Sequence, residues 1–335
     1  MENQTTLKNR FTLSGRGLHT GKNVTVTLCP AAPNTGILYR RMDVEPAVEI
    51  PVRADLVVDT ARGTTLGMNG LRISTGEHLH AALHGLQVDN VLIEIDGEEV
   101  PILDGSAKPW VEGIQKAGLE EQEAERKYFT LREPISMGGT GDGIEYIAMP
   151  SDQFRVTTII DFKSDVIGKQ VAEIQGYDSF AEEISRCRTF VFLHEILQLL
   201  QFNLIKGGDL DNALVFVDHP LVKEHAEALA KIYGKKMGSF KVENGVLNTV
   251  KPYYPNEPAR HKLLDFMGDI LLVGCPIKAH FIIKCPGHKS NVAFAQFMRN
   301  IIADVRQQEQ RPTYDPNAKP AMTADQICSF IPHRY

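Results

Sequence analysis

The stretch Arg260–Asp269 reads R-H-K-L-L-D-F-M-G-D and carries two patterns at helical spacing. Apolar or small residues recur along one face and predict a packed helix beginning at His261; they are Leu264, Met267, Gly268 and Leu271. His261, Asp265 and Asp269 follow one another at intervals of four residues, so an imidazole and two carboxylates share one stripe of that helix. An imidazole and a carboxylate at this spacing can bind one cation, although a solvated polar face has the same pattern.

A second polar pair opens another predicted helix in the first half of the chain. Thr75 is a candidate N-cap, and Glu77 and His78 follow it in the first turn. Adjacent helix residues point about 100° apart, so one can bind a metal while the other reaches a water molecule on that metal. The same residues also fit an ordinary helix start, in which the helix dipole favours an acid and the histidine lies at the surface. His80 and His84, four residues apart, form a rival candidate pair.

The order of predicted elements occurs twice along the chain. The elements are two strands within residues 11–31, the helix of Glu77, a strand at Val91–Ile95 and a helix from Ser106 to Gly118; then strands within residues 128–162, the helix of His261, a strand at Ala279–Lys284 and a helix at Asn291–Ile302. If an approximate two-fold axis relates the halves, the first turns of the two polar helices face each other. We therefore predict an α+β fold of two similar domains, each a β-sheet layered against helices with a small insert, and an active site at the domain interface.

Shifts in amino-acid composition along the chain predict the domain boundaries. The charged run Glu120–Lys127 predicts a solvated connector, so domain I covers residues 1–122 and domain II covers residues 127–308. Residues 309–335 are separate from both domains. The polar, proline-bearing stretch 306–322 predicts a linker, and a short amphipathic helix then leads to the final P-H-R-Y.

Charge and hydropathy exclude several classes of protein. The 335 residues carry 36 Lys and Arg against 42 Asp and Glu, with no long basic stretch, so nucleic acid is not an expected partner. No apolar run reaches the roughly 18 residues of a transmembrane segment, and the polar N-terminus is unlike a signal peptide, so we expect a cytoplasmic protein. Five scattered cysteines without a C-x-x-C pair predict reduced, mostly buried thiols.

Eight short motifs run collinearly over about residues 5–308, and one of them carries a further histidine, His288, in a loop after a predicted strand. The motifs are G-R-G-L-H-T-G (Gly15–Gly21), N-T-G-I-L-Y-R-R (Asn34–Arg41), R-I-S-T-G-E-H-L (Arg72–Leu79), D-G-S-A (Asp104–Ala107), S-R-C-R-T-F (Ser185–Phe190), L-D-N-A (Leu210–Ala213), R-H-K-L-L-D-F-M-G-D (Arg260–Asp269) and G-H-K-S-N (Gly287–Asn291). Together they resemble the UDP-3-O-acyl-N-acetylglucosamine deacetylases, the zinc amidases of lipid A biosynthesis.

The resemblance implies a catalytic zinc ion held by His78, His261 and Asp265, with water in the fourth coordination position. It implies Glu77 as the general base that takes a proton from this water. It also implies that His288, as an imidazolium, stabilises the oxyanion and assists departure of the amine.

Three further residues have supporting roles by the same resemblance. Asp269 orients the imidazolium, Thr189 helps to polarise the acetyl carbonyl, and Lys262 adds positive charge near the substrate anions. Two imidazoles and a carboxylate suit Fe²⁺ as well as Zn²⁺, so the metal used in the cell stays open.

The implied substrate is UDP-3-O-(3-hydroxyacyl)-N-acetylglucosamine, whose N-acetyl group would be hydrolysed to acetate and a free amine. The apolar stretch Phe190–Leu204 corresponds to an insert, about residues 190–208, that lines an acyl passage in this family. Without the resemblance, the same stretch reads as a core helix. The implied substrate contacts are Asp161 and Phe162 for the nucleotide and Phe190, Phe192 and Leu200 for the acyl chain.

Two positions depart from the family pattern, since Gly76 replaces a β-branched or larger residue and Asp209 replaces a small hydroxyl residue. The tail I-C-S-F-I-P-H-R-Y resembles the opening of the 3-hydroxyacyl-carrier-protein dehydratases, which implies that the chain is the front part of a fused bifunctional protein. Two alternatives stay open: a metal-free sugar-nucleotide binding module on the same scaffold, and an enzyme centred on His80 and His84.

Overall fold

The computed structural model describes residues 2–309, except residues 140, 142, 202–204, 210, 220–222, 224–226, 228, 231–239 and 248–249. The side chains at 197, 198, 200 and 201 are likewise not described. Most of the predicted linker and the dehydratase-like tail therefore lie outside the described residues, as do Leu210 and Cys328.

The helices of the described part of the chain are α1 (Glu77–Gly85), α2 (Lys108–Ala117), α3 (Leu193–Gln201), α4 (Glu257–Ile270) and α5 (His288–Glu309). Its strands are β1 (Asn3–Leu7), β2 (Phe11–Arg16), β3 (Asn23–Pro30), β4 (Ile37–Arg41), β5 (Val48–Pro51), β6 (Val57–Asp59), β7 (Thr65–Met68), β8 (Leu71–Ile73), β9 (Val91–Ile95), β10 (Leu119–Glu125), β11 (Phe129–Thr130), β12 (Ile135–Gly138), β13 (Glu145–Pro150), β14 (Arg155–Asp161), β15 (Lys169–Gln175), β16 (Phe190–Phe192), β17 (Leu214–Phe216), β18 (Val242–Glu243), β19 (Val246–Leu247) and β20 (Ile277–Lys284).

Each half of the chain builds one large sheet, and the two sheets have the same strand order. The first is β2-β3-β9-β4-β5 and the second is β12-β13-β20-β14-β15, with β11 paired along part of β20. In both sheets the central strand is antiparallel to one neighbour and parallel to the other: β9 with β3 and β4, β20 with β13 and β14. One helix precedes each central strand and another follows it. The predicted repeat and the α+β class are confirmed.

Hydrophobic alternation explains why these segments form half-buried strands. In β3, Val24, Val26 and Leu28 are buried, while the threonines between them are only half-buried. A period of two residues puts all three apolar side chains on one face of the sheet. The central strand β20 repeats the pattern with Ile277, Ala279, Phe281 and Ile283, all of which are buried. The sheet faces that carry these residues form the cores.

Each half also contains a smaller sheet. Its strands lie in the sequence after the edge strand β5 or β15 of the large sheet and before the helix that precedes the central strand. In the first half it is β6-β7-β8, and in the second half it is β16-β17-β19-β18. Strand β16, helix α3 and the parallel strand β17 make a βαβ unit. Its core consists of Leu193, Ile196, Val215, Val217, Leu229, Phe240 and Leu247. We call β16 to β19 with α3 the insert sheet. It continues to Leu247, so the predicted range 190–208 covers only its first strand and its helix.

Helices α1 and α4 pack closely against each other, and this contact positions the candidate site. Gly268 permits the close approach, because a Cβ there would lie 2.1 Å from the backbone oxygen of Glu77. Leu79 and Leu83 of α1 and Leu264 of α4 are fully buried. The first residue of α1 therefore lies against the last turn of α4.

Three helix starts differ from the predictions. Helix α4 begins at Glu257, so His261 lies in its second turn, not its first; the signal was Pro258, since proline is favoured in a first turn. Helix α5 begins at His288, which was predicted to lie in a loop, and continues through residues 306–309 of the predicted linker. Thr75 does not cap α1, because it has a φ of 59° and its hydroxyl donates to Glu99.

The predicted connector at Glu120–Lys127 is not a loop. Leu119–Glu125 forms β10, which pairs antiparallel with β1 while most of its charged side chains stay exposed. The sequence did not predict this strand, because L-E-E-Q-E-A-E has no alternation of apolar and polar residues. Residues 1–299 form one unit that contains both large sheets, and residues 300–335 form a second unit, of which only the end of α5 is described. The domain limits 1–122 and 127–308 stay predictions.

The cysteines of the described residues form no disulfide bond with one another; they are Cys29, Cys187, Cys275 and Cys285. The expectation that most of them are buried is wrong for this part of the chain, because only Cys187 is buried and the others are partly exposed. Among the helices of the described residues, none is both long enough and apolar enough to cross a membrane.

Candidate metal centre and active site

Segments that are far apart in the sequence meet where α1 packs on α4. Helix α1 supplies Glu77 and His78 from its first turn, α4 supplies three polar side chains, and α5 supplies its first residue, His288. We call His78, His261 and Asp265 the buried ligand group. Their side chains are only 7%, 2% and 3% exposed.

The geometry of the buried ligand group suits one shared cation. One ligand atom from each residue lies within 4.8 Å of the others. The Nε2 atom of His261 is 3.3 Å from Oδ1 of Asp265, and Nε2 of His78 is 3.9 Å from the same oxygen. Because metal–ligand bonds are roughly 2 Å long, ligand atoms about 3–4 Å apart can contact one ion.

The hydrogen bonds around the group also fit a divalent cation. Oδ1 of Asp265 is buried and has no hydrogen-bond partner in the described part of the chain. Such an orphaned atom typically costs about 1–3 kcal/mol, and a cation would satisfy it. The Nδ1–H of His261 donates to the carbonyl oxygen of Cys187 at 3.0 Å, which leaves Nε2 with its lone pair toward Asp265.

The protonation states agree with this interpretation. Burial and the nearby His261 lower the pKa of His78 to about 3, and burial also lowers the pKa of His261. Burial alone would raise the pKa of Asp265, but the neighbouring His261 and Lys262 hold it below its ordinary value. At neutral pH the group therefore presents two neutral imidazoles and an ionised carboxylate, the forms that bind metals.

A buried ion pair fixes the segment that carries the Cys187 carbonyl. The Nε–H of Arg188 donates to Oε1 of Glu257 at 3.1 Å, and the backbone N–H of Arg188 donates to the same oxygen at 3.0 Å. Glu257 is the first residue of α4 and is fully buried. The start of α4 and the acceptor for His261 are thus held together.

Glu77 and His288 form a candidate proton-transfer pair beside the buried ligand group. The Nε2 atom of His288 is 3.8 Å from Oε1 of Glu77 and 3.9 Å from Oδ2 of Asp265. Burial raises the pKa of Glu77 to about 7, while the charge of His288 acts in the opposite direction. Burial lowers the pKa of His288, but the charges of Asp269, Glu77 and Asp265 outweigh it and raise the value to about 9. An acid and a base with these pKa values can exchange protons with a bound substrate or a water molecule at neutral pH.

Asp269 holds this histidine in a network that also contains Asn291 and Thr64, whose roles the sequence did not reveal. Its Oδ2 accepts from Nδ1 of His288 at 2.9 Å and from Nδ2 of Asn291 at 2.8 Å. Its Oδ1 accepts from the hydroxyl of Thr64 at 2.6 Å, and the backbone N–H of Thr64 donates to Glu77 at 3.3 Å. Asn291 follows His288 by one helical turn and could have been found from the correct start of α5. Thr64 gives no local signal, because it lies in the loop before β7, far from Asp269 in the sequence.

The structure also places the other two predicted supporting residues, Lys262 and Thr189. The Nζ of Lys262 is 2.8 Å from Oδ2 of Asp265 and lies over the Phe190 ring, 5.6 Å from its centroid. Thr189 is half-buried in the segment fixed by Arg188, and its backbone N–H donates to the oxygen of Gly105 at 2.8 Å. The electrophilic role of Thr189 and the anion-binding role of Lys262 stay predictions.

Three of the predicted substrate contacts, Phe162, Phe190 and Phe192, form one aromatic cluster. The ring of Phe190 is 6.2 Å from that of His261 and 5.3 Å from that of Phe162, which in turn is 5.9 Å from Phe192. An aromatic path therefore leads from the buried ligand group to Phe162, which is 38% exposed. Asp161 is exposed at the end of β14, and the side chain of Leu200 lies outside the described residues.

Among the described residues, the rival pair His80 and His84 belongs to no candidate metal group, and both side chains make packing contacts and hydrogen bonds instead. The Nδ1–H of His84 donates to the backbone oxygen of Met267 at 2.8 Å, and its Nε2 accepts from Tyr177 at 3.2 Å. The Nε2 of His80 is 3.0 Å from the Tyr39 hydroxyl. These histidines fix α1 against α4 and the first large sheet.

The same packing explains why Gly76 stands where the family pattern has a β-branched or larger residue. A Cβ at this position would lie within 2.9 Å of the His80 ring and of the Tyr39 hydroxyl, so a larger residue does not fit here. Asp209, the other departure, lies before Asn212, and its backbone N–H donates to the Asn212 side chain at 2.9 Å. Neither position belongs to the buried ligand group.

Comparison with known proteins adds independent information. The sequence model of the UDP-3-O-acyl N-acetylglycosamine deacetylase (LpxC) family matches residues 4–230 and 239–300. The chain is 43% identical over 336 residues to the "Bifunctional enzyme LpxC/FabZ" of Porphyromonas gingivalis, covering 100% of this chain and 72% of the relative. It is 42% identical over 337 residues to the protein of the same name from Bacteroides thetaiotaomicron, with the same coverage. It is 40% identical over 304 residues to the UDP-3-O-acyl-N-acetylglucosamine deacetylase of Myxococcus xanthus, covering 90% and 87% of the two chains.

Proposed function

The chain belongs to the UDP-3-O-acyl N-acetylglycosamine deacetylase family, and we propose that His78, His261 and Asp265 hold the metal ion of this enzyme. Its reaction is the removal of the N-acetyl group from UDP-3-O-acyl-N-acetylglucosamine, a step of lipid A biosynthesis. The products are acetate and the free amine. We propose Zn²⁺ as the metal, with Fe²⁺ as the alternative that the same ligands suit.

The observation that carries the ligand assignment is the orphaned oxygen of Asp265, which faces two neutral imidazoles from separate helices. When bound, the ion would polarise the acetyl carbonyl and make the attacking water more acidic. An amide needs this help because it is a poor electrophile and an amine is a poor leaving group.

The proton transfers belong to Glu77 and His288. Glu77 takes a proton from the attacking water onto a carboxylate oxygen, which suits its raised pKa of about 7. His288 donates the proton on Nε2 to the departing amine nitrogen as the carbon–nitrogen bond breaks. Asp269 accepts from Nδ1 of His288, so it keeps the imidazolium charged and aims Nε2 at the side where Glu77 lies.

Thr189 and Lys262 complete the proposed machinery. The Thr189 hydroxyl donates to the acetyl oxygen, where negative charge develops in the transition state. Lys262 contributes positive charge toward the substrate anions, and its contact with Asp265 supports a place at the edge of the site.

The experiment that tests the proposed function is a mass-spectrometric assay of acetate release from the acylated UDP-sugar. We expect turnover that a chelator abolishes and that added Zn²⁺ restores. A metal-free sugar-nucleotide binding module would bind the substrate with and without chelator and release no acetate, which would contradict the proposal.

The aromatic path from Phe190 to Phe192 is the proposed beginning of the acyl passage. Phe192→Trp narrows the space beside Phe162, so we expect KM to rise more for the long-chain substrate than for an analogue with a truncated acyl chain. Comparing the two substrates on one variant controls for folding defects. Equal changes in KM for the long-chain substrate and the truncated analogue would show that Phe192 does not line the acyl passage.

The dehydratase-like tail remains a proposal. Relatives named as bifunctional enzymes agree with the predicted fusion, and this chain covers 72% of each. The cytoplasmic location predicted from the sequence also stays a prediction.

A further inference from the structure

A second group of histidine and aspartate side chains, none of which belongs to the buried ligand group, meets on the insert sheet. His194 is the second residue of α3, which directly follows β16, and Asp218 and His219 follow β17. Since β16 and β17 are parallel, the residues after their carboxyl ends come together at one edge of the sheet. We call these three residues the exposed ligand group.

The geometry of the exposed ligand group resembles that of a bound-metal site. Its ligand atoms lie within 4.8 Å of one another. The Nδ1 atoms of His194 and His219 are 3.1 Å and 3.0 Å from the same carboxylate oxygen, Oδ1 of Asp218. Tetrahedral ligands on bonds of roughly 2.0–2.1 Å lie about 3.4 Å apart, so small movements would suffice to admit an ion.

The ligands are also held in position before any ion binds. Asp218 is only 17% exposed, and both imidazoles contact it. The ring of His194 stacks on that of Phe192 with centroids 5.6 Å apart and an angle of 22° between the planes. The backbone N–H of Phe192 donates to Glu195 at 3.4 Å, which fixes the start of α3.

We propose that His194, Asp218 and His219 form a second divalent-cation site, which binds borderline cations such as Zn²⁺, Co²⁺ or Ni²⁺. Two imidazoles with one carboxylate are the donor set that these ions prefer, whereas Mg²⁺ and Ca²⁺ prefer oxygen ligands. His219 is 72% exposed and His194 is 44% exposed, so water completes the coordination shell. The ion would tie the start of α3 to the chain after β17. This inference does not rest on the proposed function.

Metal stoichiometry tests the proposal on the full chain without an affinity tag. After equilibrium dialysis against Zn²⁺ or Co²⁺, elemental analysis should find two equivalents per chain in the wild type. His219→Ala and Asp218→Asn should each lose one equivalent, whereas His280→Ala, a control on β20, should keep both. His78→Ala should lose the equivalent of the buried ligand group and keep that of the exposed ligand group. A failure of one site can therefore be told apart from a failure of the other.

Three results would overturn the second site. The first is a wild-type chain that binds a single equivalent, which His219→Ala retains. The second is a His219→Ala chain that still binds two equivalents. The third is a dimer in sedimentation experiments that holds one ion per two chains and that His219→Ala abolishes, because the ligands would then come from different molecules. Titration with Ni²⁺ followed by NMR gives an independent readout, since paramagnetic broadening should reach the Phe192 ring protons and disappear in His219→Ala.

Discussion

Two groups of two histidines and one aspartate occur in the described part of the chain, and they differ in their surroundings. The buried ligand group is at most 7% exposed and lies between the packed helices α1 and α4. The exposed ligand group lies at the edge of the insert sheet, and its side chains are 17–72% exposed. Both have ligand atoms within 4.8 Å of one another.

The difference teaches that ligand types alone do not make a catalytic centre. In the buried ligand group, Asp265 lies 3.9 Å from the candidate acid His288, and the candidate base Glu77 lies 3.8 Å from that acid, which Asp269 holds from behind. Charges in such a dry site interact strongly, whereas water around the exposed ligand group weakens every electrostatic effect. We therefore assign chemistry to the first group and only binding to the second.

The largest expected contrast comes from the same substitution in the two groups. His261→Ala should remove both the tightly bound metal and the turnover, with a loss larger than the about 10²–10⁴-fold typical of one proton-transfer group. His219→Ala should leave kcat within about twofold, because no proton transfer depends on it. Acetate release and metal content measured on both variants check this. A large loss of kcat in His219→Ala would remove the distinction between the groups.

The proton-transfer pair should matter for turnover but not for metal retention. Glu77→Gln and His288→Gln should each lower kcat by about 10²–10⁴-fold, because each removes a group that carries a proton in the transition state. Metal content should stay near that of the wild type. Glu98→Gln, at an exposed ion pair with Lys22, is the matched control. Wild-type kcat in either test variant would refute the assigned role.

The helix contact that assembles the buried ligand group should be sensitive to one methyl group. Gly268→Ala places a Cβ 2.1 Å from the backbone oxygen of Glu77, so α1 and α4 must separate. We expect a loss of about 1–3 kcal/mol in the free energy of unfolding, together with reduced turnover. Urea denaturation measures the first quantity. Gly287→Ala is the control for stability, because nothing lies within 4 Å of its added Cβ; equal stability of both variants would contradict the close contact.

An effect on stability alone, and in that sense the smallest expected, tests the network around Asp269. Thr64→Val keeps the shape of the side chain but removes the hydroxyl that donates to Asp269 at 2.6 Å. A buried carboxylate oxygen then loses its partner, and we expect a destabilisation of about 1–3 kcal/mol. Thr12→Val removes an exposed hydroxyl that bonds Thr27, and this control should change stability by less than about 0.5 kcal/mol. The reverse ranking of the two variants would show that Thr64 does not support the site.

Much of the fold could be predicted because its signals are local. Alternating valines in β3, the strand at Val91–Ile95 and the glycine that ends α2 all lie where periodicity and capping put them. The repeat was visible as a repeated order of elements, although sequence identity between the two halves is low. The errors fell at helix starts and at β10, where charged residues pair through the backbone and periodicity gives no signal.

The candidate site was predictable only where its residues share a helix or a motif. His261, Asp265 and Asp269 stood out by spacing, and Glu77 and His78 by adjacency. The joining of the two sets at one cation came from the family resemblance, and spacing alone left His80 and His84 open as a rival pair. Those two histidines bond Tyr39, Met267 and Tyr177, partners that no local pattern in the chain identifies.

The amino-acid sequence by itself determined the periodic elements, their repeated order and the stripe of ligands on α4, because each depends on residues within a few turns or one strand. Only the tertiary structure decided that Gly268 lets α1 approach α4, that the Cys187 carbonyl orients His261, and that Thr64 and Asn291 hold Asp269. The physical reason is that these contacts join residues up to 205 positions apart. Packing of buried surfaces brings such residues together, and spacing along the chain carries no record of it.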